Sequence, residues 1–282
     1  MSIKILLSYL VLAPIVGGLL AGLDRRVTAR MQNRIGPPIL QPFYDVLKLF
    51  KKETLVVRPS QTLYIEFFFV LTVFTGALFF AGGDLLLIIF ALTLAGVFFV
   101  LGGFKASSPY SVIGAHREAL QMMSYEPALM MVAVGMYMVT KSFQITDIIH
   151  YPKSLIMVLP GVFLAFFFIL PIKFRKSPFD LSTSHHAHQE LVKGITTEFS
   201  GKTLAIIEMA HWYENVFVLA IVYLFFASNV WVGLSVSLLV FLSQMLIDNA
   251  TARVRWQALV ASSWLVALVL GGANIIYLMI RG

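Results

Sequence analysis

Residues 85–104 read LLLIIFALTLAGVFFVLGGF, a run of twenty without a charged side chain, and this run decides the fold class. A helix rises about 1.5 Å per residue, so about twenty apolar residues cross the hydrocarbon of a bilayer. Seven further apolar stretches lie at residues 3–23, 63–81, 117–139, 154–172, 200–227, 230–248 and 256–280. The sequence therefore predicts an all-α, polytopic transmembrane bundle of about eight helices.

Composition agrees with a membrane protein and restricts its chemistry. Only 12% of the 282 residues are charged, against about 25% in an ordinary soluble domain. The sequence shows no large polar region and no convincing internal repeat, so we expect a single membrane domain over residues 1–282. Because the chain has no Cys, it cannot by itself build a disulfide, a thiolate zinc site or an iron–sulfur cluster.

Basic residues are distributed unevenly among the loops. All but four of the 21 Lys and Arg residues fall in the loops after the first, third, fifth and seventh predicted helices. Cytoplasmic loops carry this excess in membrane proteins. We therefore expect a multi-pass membrane protein with both termini on the outer side. The net charge of +7 is then explained by orientation, and we expect no nucleic acid partner.

Three cytoplasmic loops, at residues 24–62, 105–126 and 173–203, carry unusual motifs. The first contains RMQNRIGPP at 30–38 and then an amphipathic segment at 43–50. This segment places Phe43, Val46, Leu47 and Phe50 opposite Lys48, Lys51 and Lys52, which predicts a helix lying in the membrane interface. The second contains SVIGAHREALQMMSYEP at 111–127, and the third contains SPFD at 177–180, HHAHQELVKG at 185–194 and TEFSGK at 197–202.

These motifs, in this order and between helices of this number, resemble the quinone-chamber membrane subunit of complex I, the H subunit of NADH:quinone oxidoreductase. They are still more similar to its counterpart in the energy-converting, membrane-bound nickel–iron hydrogenases. Departures from the quinone-reducing pattern support this choice: Pro38 follows RIGP, Glu118 replaces a small residue, and a histidine-rich segment at 182–188 replaces an acidic one.

The resemblance implies a membrane-anchor and coupling subunit of a ferredoxin-linked, energy-converting hydrogenase-type complex in a prokaryotic cell (plasma) membrane. This subunit would dock the peripheral redox arm and link its electron transfer to the movement of H⁺ or Na⁺. It implies no redox centre in this chain and a nickel–iron centre and iron–sulfur clusters in partner subunits. The partners implied are hydrogenase-like large and small subunits, a ferredoxin-like iron–sulfur subunit and antiporter-like membrane subunits, within membrane lipid. The alternatives are the quinone-chamber subunit of a complex I-like dehydrogenase or the equivalent subunit of a sulfur-reducing complex. A free-standing ion transporter is disfavoured, since the paired broken helices of such transporters are not visible.

Ionisable residues near the helices are the candidate site, because charges within a membrane are costly and usually mark an ion path. The candidates for proton or ion coupling are Glu126, Glu190, Glu198, Asp180, Glu208, His211 and Glu214. Their candidate charge partners are Arg25, Arg26, Arg34 and Arg117, although Glu118 and Glu214 could equally be simple ion-pair partners of arginine. For subunit docking we single out Arg30, Arg34, Lys51, Lys52, His185, His186 and His188. The histidines have no clear fourth ligand, so no metal site is predicted.

Overall fold

A computed structural model describes residues 3–54, 58–182 and 193–281, and these ranges are mostly helical. In chain order the helices are α1 (Ile3–Met31), α2 (Gln41–Lys51), α3 (Pro59–Phe80), α4 (Leu85–Lys105), α5 (Pro109–Thr140), α6 (Ile145–Ile149), α7 (Pro160–Lys173), α8 (Gly201–Leu224), α9 (Val230–Ala250), α10 (Trp256–Val266) and α11 (Ala273–Arg281). A π-helical turn, Ala267–Gly272, joins α10 to α11. The predicted all-α fold is confirmed.

Seven helical segments of the described ranges are long and apolar enough to cross a bilayer: α1, α3, α4, α5, α8, α9 and the continuous α10–α11. The predicted span at 154–172 is shorter, since α7 has 14 residues and is about 21 Å long. Part of that stretch forms a separate 3-10 turn, where Ile156 N and Ser154 Oγ donate to the Phe225 carbonyl at 3.1 and 3.0 Å. The polytopic bundle is therefore confirmed, with one short apolar helix.

Two helices extend beyond their apolar stretches. The first continues through Arg25 and Arg26 to Met31, and α5 begins at Pro109 instead of near Arg117. With 32 residues, α5 is about 48 Å long and exceeds a hydrocarbon layer of about 30 Å. Polar residues can stay helical in water, so hydropathy locates the membrane boundary but not the end of the helix.

Prolines inside α1 and α5 do not end these helices. A proline lacks an N–H, so the carbonyl four residues earlier loses its helical partner. Pro14 frees the carbonyl of Leu10, which accepts a hydrogen bond from the Tyr213 hydroxyl at 2.8 Å. Pro127 frees the carbonyl of Met123, which accepts one from the indole N–H of Trp264 at 3.0 Å. Side chains from other helices thus supply hydrogen-bond donors to both freed carbonyls.

Contacts divide the chain into two compact units. The first unit comprises Met1–Ala77, Ala91–Ala119 and Asp180–Val216, and the second comprises Leu78–Phe90, Leu120–Phe179 and Phe217–Gly282. The first has buried clusters around Tyr9 with Tyr213 and around Val46 with Trp212. In the second, α7 packs against α9, α10 and the π-helical turn. The single membrane domain stays a prediction.

Candidate functional site

The first motif-bearing loop is attached to α1 through an ion pair. Arg25 Nη1 lies 2.6 Å from Asp45 Oδ2, and Gln41 Nε2 donates to the other carboxylate oxygen at 2.9 Å. Burial raises the pKa of Asp45, but the hydrogen bonds from Arg25 and Gln41 and the charges of Arg25 and Lys48 outweigh it and lower the pKa below 3.8. The predicted charge partner Arg25 thus pairs with Asp45, a carboxylate that the sequence interpretation did not assign.

The amphipathic segment forms α2, and only part of its predicted apolar stripe faces the protein. Val46 is buried beside Ala205, and the Phe43 ring packs 5.1 Å from the ring of Trp212. Leu47, in contrast, is 58% exposed. The predicted helix is therefore present: one side of α2 packs on α8, and apolar residues also remain on its outer side. Its position in the membrane interface stays a prediction.

The second and third motifs meet in the first unit. Arg117 Nη1 donates to the Leu181 carbonyl at 3.3 Å, and Ser111 Oγ donates to the Ile195 carbonyl at 3.0 Å. A Cβ added at Gly114 would lie 2.2 Å from the Ile195 nitrogen, so this approach of the α5 backbone requires glycine. These contacts hold Leu181 and Ile195 against the N-terminal half of α5.

The first and third motif-bearing loops also meet. The Lys202 N–H, in the first turn of α8, donates to Thr54 Oγ1 at 3.2 Å. Gly201 has a φ of +52°, and a Cβ there would approach the Glu53 carbonyl oxygen to 2.7 Å. All three motif-bearing loops therefore contribute to one compact unit, an arrangement that sequence order alone did not establish.

The predicted coupling residues of the first unit differ in burial. Asp180 and Glu214 are buried, while Glu198, Glu208 and His211 are half-buried. On α8, His211 Nδ1 lies 3.6 Å from Glu214 Oε2. The His211 imidazole packs against two phenylalanine rings, those of Phe68 and Phe99, at centroid distances of 5.9 and 5.8 Å. An acid–base pair thus lies among aromatic side chains within a spanning helix.

The second unit contains Glu126, half-buried on α5 beside Pro127. It also buries two lysines that the sequence interpretation counted only as loop charges. Lys173 Nζ lies 4.0 Å above the ring of Tyr125, and Lys176 Nζ lies 3.5 Å from Asp248 Oδ2. One feature of the sequence could have predicted this burial. Both lysines follow an apolar span directly, and a cation at that point can be buried in the protein.

The remaining predicted residues lie mostly at the surface. Arg26, Arg30, Lys51 and Lys52 are exposed, and Arg34 donates a hydrogen bond to Gln32. Arg26 and Arg30 line an otherwise apolar depression of about 370 Å³. The positions of Glu190, His185, His186 and His188 lie outside the described residues. Within residues 3–54, 58–182 and 193–281, no group of three or more His, Asp and Glu side chains could hold a metal ion.

Comparisons with known proteins identify the family. The family model described as NADH dehydrogenase matches residues 3–279. The H subunit of NADH-quinone oxidoreductase from Geobacillus kaustophilus is 33% identical over 96% of this chain and 90% of its own length. The corresponding protein of Bacillus thuringiensis subsp. konkukian is 31% identical over 97% of this chain and 91% of its own.

A solved structure supports the same assignment. A chain of the membrane-bound sulfane sulfur reductase, an archaeal respiratory membrane complex, is similar with a TM-score of 0.85 and 25% identity. The match covers 98% of this chain and 100% of that chain. This chain therefore belongs to the NADH dehydrogenase family, as a multi-pass membrane subunit of the complex I-like oxidoreductases.

Proposed function

We propose that this chain is the membrane-anchor and coupling subunit of a ferredoxin-linked, energy-converting hydrogenase-type complex. It docks the peripheral redox subunits on its motif-bearing loops and links their electron transfer to the movement of H⁺ or Na⁺. The nickel–iron centre and the iron–sulfur clusters belong to the hydrogenase-like large and small subunits and a ferredoxin-like subunit. Antiporter-like subunits in the same plasma membrane continue the ion path.

The observation that carries this proposal is that parts of all three motif-bearing loops meet in the first unit. Arg117 and Ser111 of the second loop bond to the third loop at Leu181 and Ile195, and Lys202 of the third loop bonds to Thr54 of the first. Anchoring alone does not need so many cross-connections between loops. A connected set of loops can instead support a peripheral subunit, with Arg30 and Arg34 meeting acidic surfaces on it.

Coupling is assigned to the acidic groups of this unit and to Glu126. A carboxylate that is buried in one loop arrangement and wetted in another changes its pKa, and one pKa unit corresponds to about 1.4 kcal/mol. Moving a charge against 100 mV costs about 2.3 kcal/mol, so a change of roughly two units at one site is of the required size. Glu198 lies three residues before α8, and the His211–Glu214 pair lies farther along that helix.

Affinity purification in mild detergent tests the partners. We expect nickel–iron and iron–sulfur subunits to co-purify, and to be lost when Arg30 and Arg34 are both changed to Glu. The Lys153→Glu variant is the matched control, because this exposed residue lies on a loop predicted to face outward. A lone chain with ion uptake activity would instead establish a free-standing transporter, and co-purification of a quinone-reducing arm would establish the complex I alternative.

Sidedness tests the orientation that docking requires. Since the chain has no Cys, single cysteines can be labelled without background. A cysteine replacing Ile35, which is 93% exposed, should react only from the cytoplasmic side, and one replacing Lys153 only from outside. Labelling of both from the same side would contradict the proposed orientation.

A second candidate is the corresponding subunit of a sulfur-reducing complex. The likeness to a chain of a sulfane sulfur reductase complex favours it specifically. Both candidates share the same membrane role and differ in the chemistry of the peripheral arm. Assays of the purified complex for hydrogen evolution and for polysulfide reduction separate them.

A further inference from the structure

A depression rich in lysine lies where α2 ends and α8 begins. Its volume is about 670 Å³, and it is lined by Phe50, Lys51, Lys52, Glu53, Thr54 and Lys202. Three ammonium groups against one carboxylate leave the site with a net positive charge. The bond from the Lys202 N–H to Thr54 Oγ1, at 3.2 Å, joins its two walls and leaves the threonine proton available to donate to a ligand.

The depression lies at the N-terminal end of a helix that is long enough to span a bilayer. Lys202 occupies the first turn of α8, and this helix of 24 residues is about 36 Å long, enough to reach the headgroups on both sides of the hydrocarbon. Thr54 lies five residues before the start of α3, another spanning helix. We therefore expect the site at the level where two helices of spanning length enter the bilayer.

Apolar side chains continue from the depression along the outer side of α2. Leu40, Tyr44 and Leu47 are 49%, 56% and 58% exposed and are spaced by four and three residues, so they form one stripe. Phe50, which is 39% exposed, connects this stripe to the lysines. Cations beside an exposed apolar stripe on an interfacial helix suit a ligand that has both an anionic group and hydrocarbon chains.

We propose that this depression binds the phosphate of an anionic phospholipid. The ammonium groups of Lys51, Lys52 and Lys202 contact the phosphate, and Thr54 Oγ1 donates a hydrogen bond to it. The acyl chains lie along Leu47 and Tyr44. Lysines beside an exposed apolar stripe on an interfacial helix match both the phosphate and the acyl chains of a lipid, so the observations favour lipid over subunit docking at Lys51 and Lys52. The bound lipid fixes α2 against the membrane.

Native mass spectrometry of the delipidated full-length chain, with the subunits that co-purify, tests the proposal. The probes are phosphatidylglycerol and phosphatidylcholine with identical acyl chains. We expect selective retention of phosphatidylglycerol, and retention about fivefold weaker for each lysine changed to Gln. The matched control, Lys141→Gln with Lys153→Gln, removes two exposed lysines elsewhere and should retain the lipid unchanged.

Additional variants and a phosphate competitor identify the source of the bound phosphate and control for misfolding. A triple Lys→Arg variant keeps the charge and should retain phosphatidylglycerol within about twofold of the parent, and its failure to do so overturns the proposal. Unchanged lipid retention in the triple Gln variant, or equal retention of phosphatidylcholine, overturns it as well. Inorganic phosphate at millimolar concentration that fully displaces the lipid would show a free-anion site. Loss of redox subunits with lipid retained would show a docking site.

Discussion

Pro14 and Pro127 interrupt two spanning helices, and the two units repair the break with different donors. In the first unit, the phenol of Tyr213 binds the freed Leu10 carbonyl, and Tyr213 is only 5% exposed. In the second unit, the indole of Trp264 binds the Met123 carbonyl, and Trp264 is 43% exposed. The carbonyl freed by proline is therefore bonded by a buried side chain in the first unit and by a partly exposed side chain in the second.

The hydrogen bond of Tyr213, unlike that of Trp264, also holds the helix that carries part of the candidate site. Tyr213 lies between His211 and Glu214 on α8, and its ring packs 5.6 Å from the ring of Tyr9 on α1. Its hydrogen bond therefore fixes the helix that carries the acid–base pair against α1. Trp264 belongs to α10, which carries none of the predicted coupling residues.

The largest expected effect comes from the pair that the tyrosine bond positions. Changing Glu214 to Gln removes the titratable partner of His211, so ion translocation by the complex in vesicles should fall at least tenfold. Activity of the peripheral arm with artificial electron donors should persist. The control is Asp147→Asn, which neutralises an exposed carboxylate on α6 that accepts a hydrogen bond from Ser142. Intact translocation in the Glu214→Gln variant would make this pair structural.

The next effect concerns the buried repair. Tyr213→Phe keeps the ring but leaves the Leu10 carbonyl without its donor, so the free energy of unfolding should fall by about 1–3 kcal/mol. Unfolding in detergent measures this change. Adding Pro14→Ala supplies a backbone N–H four residues after Leu10, so the double variant should lose much less than Tyr213→Phe alone. If Tyr213→Phe lowers the free energy of unfolding equally with and without Pro14→Ala, the Tyr213 hydroxyl does not compensate for the proline.

A smaller effect is expected at the surface repair. Trp264→Phe should lower the free energy of unfolding by less than about 1.5 kcal/mol, because Met123 is 55% exposed and its α5 helix extends into water, which can bind a freed carbonyl. The same unfolding assay, run beside Tyr213→Phe, gives the comparison directly. A loss that equals or exceeds the loss in Tyr213→Phe would show that Met123 lies in hydrocarbon.

The smallest effect is expected at the Arg25–Asp45 pair, whose side chains are 44% and 39% exposed. Solvent screens such pairs, so Arg25→Gln or Asp45→Asn should lower the free energy of unfolding at pH 7 by less than about 1 kcal/mol. Because the folded state lowers the Asp45 pKa below 3.8, this contribution is present above pH 3.8 and is lost as pH falls through the folded pKa. The free energies of unfolding of the parent and of the Asp45→Asn variant should therefore differ at pH 7 and converge well below pH 3.8.

Much of the fold could be predicted because hydrophobic length is a local property of the chain. The run at 85–104 became α4, with bounds one residue different, and α9 likewise begins at Val230 as expected. Helix ends in water were less accurate, as α5 shows, since polar residues carry no equivalent signal. The start of α7 was also predicted too early, because residues 155–157 form a 3-10 turn whose contact with the distant carbonyl of Phe225 is not visible in the sequence.

The candidate site divides in the same way. Sequence by itself determined the spanning helices, the motif-bearing loops and the ionisable residues that they carry, because residue type and spacing are local. Tertiary structure alone decided that Arg25 pairs with Asp45, that Thr54 contacts Lys202, and that Tyr213 serves the carbonyl freed by Pro14. The last two contacts join residues 148 and 203 positions apart. Such pairings depend on how helices pack together, and packing is a property of the whole chain that no single segment encodes.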